Sequence, residues 1–351
     1  MDIFLKLTAE RRRQLCQAAG DAIGLDAPSI EKDFWVCWTL RELFSIPQFG
    51  PHLTFKGGTS LSKGWKLIER FSEDIDVVIN REYLGFGRDR APDQESISNN
   101  ERNRRLEALK NACQTLIHEM LSPALSALLR DRLPNQMVWK LSEEATIDGG
   151  INLLFEYPCV FPSGSYLNPE VKIELGARSD TEPSVTPEIQ PYLGENLPDE
   201  IGPSKFIVRT VTPERTFWEK AMLLHEETFY MGGEGPKARL ARHYYDIWCL
   251  IRAGVAQRAV AVQGLFDRVA AHRSVFFRKK KEARESLRPG SLRIVPLLDQ
   301  VPFWRKDYEQ MREAMFFGEP PSFDEILRVV GEFERNFNEA ARPSTTSSPT
   351  Q

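Results

Sequence analysis

In "SIEKDFWVCWTLRELF" (residues 29–44) the apolar Phe34, Trp38 and Phe44, with Cys37, Leu40 and Leu43, recur at helical spacing. The pattern predicts helices over residues 8–23 and 30–44. "HLTFK" (52–56) reads as a short strand that Gly57-Gly58 breaks. "TSLSKGWKLIER" (59–70) predicts a helix, with Thr59 or Ser60 as N-cap and Leu61, Trp65 and Ile68 on one side. "DIDVVI" (74–79) predicts a strand. The Gly, Pro and Ser of residues 83–99 predict a long loop, and a long helix follows over roughly 100–130.

Three β-rich runs come next, "MVWKL", "INLLFEYP" and "VKIELGA", each bounded by turn residues. Residues 178–204 are rich in Pro, Glu and Gly and read as irregular, and "KFIVRTV" (205–211) reads as one more strand. "TPERTFWEKAMLLHEE" starts a helix with Thr212 as N-cap, Pro213 in the first turn and Glu214 at the positive end. "MGGEGPKA" (231–238) reads as a flexible link, and "RLARHYYDIWCLIRAG" as a helix that stops at Gly254. Helical pattern continues to about residue 340, and "ARPSTTSSPTQ" (341–351) reads as a disordered tail. Mixed α/β followed by helices predicts an α+β fold, a mixed sheet flanked by helices with a helical C-terminal region.

Composition narrows the function classes. With 351 residues, 41% of them apolar and 27% charged, the chain can bury a large core. A net charge of −4 gives no global basic field, so any nucleic-acid contact must come from a local patch. Cys16, Cys37, Cys113, Cys159 and Cys249 are odd in number, widely spaced and lack C-x-x-C, which argues against a disulfide framework or a zinc site. "MDIFLKLTAERRRQL" has too short an apolar patch for a signal peptide, and no apolar run approaches the roughly 20 residues that span a bilayer. A cytoplasmic protein is expected.

The chemistry concentrates in "FKGGTSLSKGWKLIERFSEDIDVVI" (55–79). A strand-turn-helix with glycines at the turn lets backbone N–H groups approach an anion, and the helix start adds partial positive charge. Asp74 and Asp76 lie two apart on a strand, so both side chains leave the same face. Two such carboxylates repel unless water or a cation lies between them, and hard oxygen ligands select Mg²⁺ or Mn²⁺. Alone, the Gly-Gly-Thr-Ser turn is an ordinary turn with an N-cap, and the Asp pair an ordinary solvated strand face. Their combination across strand-turn-helix-strand is far more specific to a metal–nucleotide site.

"KGGTSLSKGWKLIERFSEDIDVVI" resembles the first motif of the nucleotidyltransferase toxins of the AbiEii/AbiGii (MenT-like) family of toxin–antitoxin and phage-defence systems. That motif is a Gly-Ser pair followed by D-x-D on the next strand. The resemblance runs from "EKDFWVCWTLREL" through "RHYYDIWCLI". This chain departs from it in Gly58-Thr59-Ser60, with one residue between Gly and Ser.

The resemblance implies a nucleotidyltransferase core over 1–211 and a helical region over 212–340 that completes its active site. It implies an NTP substrate held at Gly57, Gly58, Thr59 and Ser60, with metal at Asp74 and Asp76. A third carboxylate usually completes such a site, and Glu174 in "VKIELGA" is the candidate; the plain alternative is an exposed position alternating with Val171, Ile173 and Leu175. Lys220 matches the second motif and would contact the triphosphate with help from Arg215, although a mid-helix lysine also snorkels ordinarily. Asp246 matches the family's third acid; its plain reading is an Arg242–Asp246 pair at i, i+4, worth about 0.3–0.5 kcal/mol if exposed.

The implied acceptor is RNA, at the 3′ end of tRNA, and the implied partner an antitoxin of the winged-helix regulator type. A protein side chain as acceptor, as in AMP transfer, and a non-catalytic nucleotide- or partner-binding module are the alternatives. The five histidines show no metal-ligand spacing, and only His243 falls near a proposed site residue. Basic runs occur at "RRR" (11–13), "RNRR" (102–105) and "RKKKEAR" (278–284), the last being the best candidate for tracking an RNA backbone.

Overall fold

The computed structural model describes residues 1–147, 149–161, 168–230, 238–277, 280–316 and 318–341. But for Ala238 and Ala341, the expected link at 231–238 and the expected tail at 341–351 lie outside them. The chain forms two compact units, Met1–Thr212 and Pro213–Gln351. Among the described residues no helix is long and apolar enough to cross a membrane.

The first unit is built on a seven-stranded mixed sheet. Its strands are β1 (Leu53–Lys56), β2 (Ile75–Ile79), β3 (Lys140–Ala145), β4 (Ile151–Glu156), β5 (Glu170–Gly176), β6 (Ser184–Val185) and β9 (Thr210–Val211), in the order β3-β4-β5-β2-β1-β9-β6. β2 runs parallel to β5 and β1 parallel to β9; the other neighbours are antiparallel. β7 (Glu188–Ile189) and β8 (Phe206–Ile207) pair separately.

Period-two alternation gives the sheet one apolar face. Phe55, Ile75, Val77, Leu153, Phe155, Val171 and Ile173 are buried there. Over it lies the helix Ala27–Ser45, whose Trp35 and Trp38 pack 6.0 and 6.1 Å from the Phe155 ring, with Trp35 also stacked on Tyr157. Both indoles are fully buried, and an aromatic side chain so buried contributes about 1.5–3 kcal/mol. The polar positions of the same strands therefore line the opposite face.

Residues 178–204, expected to be irregular, hold β6, β7 and the short helices Tyr192–Asn196 and Pro198–Ile201. The helix expected over 100–130 is broken by a π-helical turn at Ile117–Leu121, and three more elements differ from the sequence pattern. The helix expected over 59–70 is a helical turn, Gly57–Thr59, followed by one π-helical turn, Ser60–Gly64. Beyond Trp65 the chain leaves the helix, and Lys66 takes φ +53. Leu61, Trp65 and Ile68 mimic an apolar stripe, but Lys63, which that stripe would leave in solvent, is itself buried. Neither Thr59 nor Ser60 is the N-cap, because Lys56 holds that position. "KFIVRTV" splits into β8 and β9 in different sheets, and the strand expected at 137–141 begins only at Lys140.

The second unit is helical: Pro213–Glu227, Arg242–Arg252, Val255–Ala261, Leu265–Phe276, Lys281–Ser286, Val301–Met315 and Phe323–Ala340. Edge-to-face rings knit it together, Trp218 on Phe266 and Phe217 on Phe333, each pair 5.0 Å apart. Gly254 ends the Arg242–Arg252 segment at φ +72, a left-handed conformation that glycine adopts without strain.

Candidate active site

The two glycines of the turn serve different neighbours. Gly57 has φ +82, and a Cβ there would lie 1.9 Å from Asp76 Oδ2. A Cβ on Gly58 would lie 2.8 Å from both Arg70 Nη2 and Ser72 Oγ. The turn is thus pressed against the Asp76 carboxylate on one side and a buried guanidinium on the other. Thr59 Oγ1 donates to the carbonyl of Asp74 at 2.5 Å and shares a hydrogen bond with Ser72 Oγ, and Ser60 Oγ donates to the Gly57 carbonyl at 2.9 Å. Both hydroxyls are buried and hold the turn closed. Nothing in the sequence spacing singled out Arg70.

Asp74 immediately precedes β2 and Asp76 lies within it, both half-buried. The sheet register sets Lys56 opposite Asp76, Asp76 beside Glu174, and Glu174 opposite Asn152. These four form a row on the polar face. Lys172 Nζ lies 3.4 Å from Glu174 Oε1 and 3.3 Å from Glu144 Oε2. Burial pulls the Lys172 pKa down, but Glu174, Glu144 and Asp74 outweigh it and the net shift is upward. The Lys172 cation therefore persists among three carboxylates. Alternation in "VKIELGA" already placed Lys172 on the face of Glu174.

Among the described residues no group of three or more His, Cys, Asp or Glu side chains is placed to hold a metal ion. Glu174 lies in register beside Asp76, with its carboxylate against Lys172. Hard oxygens of the kind that suit a divalent cation are present at Asp76, within β2, and at Asp74, one residue before it.

The helix Ala27–Ser45 buries three consecutive charges, Glu31, Lys32 and Asp33. Glu31 accepts from the Val160 N–H at 3.0 Å. Lys32 pairs with Glu73, the neighbour of Asp74, and donates to the Asn168 carbonyl at 3.0 Å. Asp33 pairs with Lys63 at 2.6 Å and accepts from the Tyr192 N–H at 2.7 Å. Lys63 Nζ also sits 3.5 Å from the Tyr192 ring centroid. One helix thus clamps both arms around the Asp pair. The available signal was the presence of three charges inside an otherwise apolar helical run.

In the second unit Lys220 and Asp246 meet. Lys220 Nζ lies 2.9 Å from Asp246 Oδ2, with side chains 8% and 0% exposed, and 3.2 Å from His243 Nδ1. An ammonium only donates, so His243 Nδ1 accepts and the ring proton sits on Nε2. Asp246 and His243 are three apart on Arg242–Arg252 and share a helix face. Arg215 is fully buried and donates through Nε to Glu219 Oε1 at 3.0 Å.

Two basic runs have structural partners. Arg11 pairs with Glu200, Arg12 is buried against the Pro158 carbonyl, and Arg104 and Arg105 pair with Glu101. Of "RKKKEAR", Arg278 and Lys279 lie outside the described residues, while Lys281 pairs with Glu285.

The mixed sheet, with a glycine turn packed on Asp76 of β2, and the helical unit after it in the chain give a fold similar to that of a nucleotidyltransferase toxin. Among solved structures it is similar to MenT4, a nucleotidyltransferase toxin from Mycobacterium tuberculosis H37Rv, with a TM-score of 0.52 and 14% identity over 96% of this chain and 91% of that one. At that identity the likeness is one of fold. No curated protein matches the chain. Residues 38–329 match the family described as nucleotidyl transferase AbiEii toxin, Type IV TA system. The chain belongs to that family.

Proposed function

We propose that the chain transfers NMP from an NTP to an RNA acceptor, the 3′ end of a tRNA, releasing pyrophosphate in the cytoplasm. The observation that carries this reading is the Asp76 carboxylate packed on the Gly57 turn, with Asp74 two residues before it where the chain enters β2. In this reading Asp74 and Asp76 hold Mg²⁺ or Mn²⁺, which would neutralise charge developing on the triphosphate. Because the Thr59 and Ser60 hydroxyls and the Ser60 N–H are engaged within the turn, the backbone N–H groups of Gly57, Gly58 and Thr59 carry the phosphate contact. Glu174 stands as the third carboxylate, oriented by Lys172. Within the second unit Lys220 is the proposed point charge for a phosphate, its ammonium held in place by Asp246 and His243, while the proposed helper Arg215 is fully buried against Glu219. A cognate antitoxin, in the family's pattern a winged-helix regulator, restrains the activity.

The test is incubation of the purified chain with each labelled NTP, Mg²⁺ and either total RNA or total protein. Label should enter RNA with the wild-type chain and not with Asp76→Ala. Label entering protein instead identifies side-chain nucleotidylation, and label entering neither overturns the enzymatic reading. Expression without the antitoxin should arrest growth for the wild type and not for Asp74→Ala.

A further inference from the structure

Two residues past Asp76, on the same face of β2, Val78 borders a pocket of about 430 Å³. Its far wall comes from residues 179–182, in the irregular segment that follows the end of β5 at Gly176, the register partner of Val78. Lys56 connects this pocket to the carboxylate row: it stands opposite Asp76, and its ammonium donates to Ser179 Oγ in the pocket lining at 3.0 Å. The volume falls within the roughly 300–1,000 Å³ typical of small-molecule sites.

The charge of the lining limits the ligand. Three arginines, Arg81, Arg88 and Arg209, face four carboxylates, a net charge of −1. Arg81 lies 3.4 Å from Asp93, and Arg209 pairs with Glu182 and donates to Ser184 Oγ. A triphosphate, itself polyanionic, is disfavoured there. An uncharged group with donors and acceptors on its edges is suited, because the amide of Asn80 and the hydroxyls of Ser179 and Thr181 supply both. Phe86 adds an aromatic surface to the lining.

We propose that this pocket receives the nucleoside part, base and ribose, of a nucleotide whose phosphate lies at the Gly57–Ser60 turn and Asp pair. The inference rests on the nucleotidyl-transfer reading. It names a chemistry with two sources, the incoming NTP and the terminal nucleoside of the acceptor RNA.

Ala91→Trp and Thr181→Trp each place an indole in the pocket, and neither residue belongs to the turn, the Asp pair or the Lys220 cluster. Binding to the full chain is measured with Mg²⁺ for the four NTPs, for tripolyphosphate, and for short single-stranded RNAs differing in their 3′ nucleoside. Thermal melting selects whichever variant is folded. The expected result is at least a tenfold loss for a nucleoside-bearing ligand with tripolyphosphate binding unchanged. Loss confined to NTPs identifies the donor nucleoside, and loss confined to RNA the acceptor nucleoside. Wild-type binding of both, or equal weakening of tripolyphosphate, overturns the assignment. A wild-type chain that binds neither NTP nor RNA overturns the underlying reading before any variant is compared.

Discussion

Lys63 Nζ lies 2.6 Å from Asp33 Oδ1, and neither side chain is more than 6% exposed. This pair ties the Ala27–Ser45 helix to the turn that follows the glycines, and a buried charge left alone is costly. Asp33→Ala should therefore destabilise the chain by about 3–5 kcal/mol, and Asp33→Ala with Lys63→Met by less, because the second change removes the stranded ammonium. Urea unfolding midpoints check this; a midpoint for Asp33→Ala equal to wild type contradicts it.

Gly57→Ala and Gly58→Ala should separate in their effects. The first puts a Cβ 1.9 Å from Asp76 Oδ2 at φ +82, so Asp76 must move and the backbone is strained by about 1–2 kcal/mol. The second meets only the ends of Arg70 and Ser72, which can shift. Nucleotide transfer should fall by orders of magnitude in Gly57→Ala and by much less in Gly58→Ala. Equal losses would assign the effect to the path of the turn rather than to Asp76.

Lys220→Met should lower both activity and stability. It removes the ammonium from a fully buried Asp246, a loss of about 3–5 kcal/mol. Adding Asp246→Leu should recover much of the melting temperature without recovering transfer. A double variant that regains activity would make the pair structural alone.

His225 gives the second unit a pH dependence. Its Nδ1 accepts from the Arg293 N–H and its Nε2 donates to the Ala283 carbonyl, each at 3.0 Å, so only the neutral ring satisfies both. Burial accordingly holds its pKa below 6.5. Because the folded value is lower than the unfolded one, this contribution is complete above about pH 6.5 and is lost as pH falls through the folded pKa. The melting temperature of the wild-type chain should drop more steeply below pH 6.5 than that of His225→Gln. Parallel curves would show that other groups control the acid limb.

The strand-turn-strand frame of the site was legible in the sequence, because Gly57-Gly58 and the alternation of Ile75 and Val77 act within a few residues. The side of β2 that Asp76 leaves follows from strand geometry alone, whereas Asp74 stands one residue before the strand, where that alternation does not reach. The start of the Pro213–Glu227 helix was legible for the same reason, since Pro213 and Glu214 act on their own turn.

What the tertiary structure decided was the choice of partners across long stretches of chain. The sequence pattern offered Asp246 a local arginine, Arg242, four residues away; the fold sets it against Lys220. The apolar stripe of 59–70 promised a surface helix, but the burial of Lys63 against Asp33 ends the helical turn at Gly64. "KFIVRTV" divided because β9 found β1 and β6 while β8 found β7. Periodicity reports which face of an element a side chain leaves, and nothing more distant. A buried charge is settled by whichever opposite charge the packed core brings within about 3 Å, and only the completed fold determines which one that is.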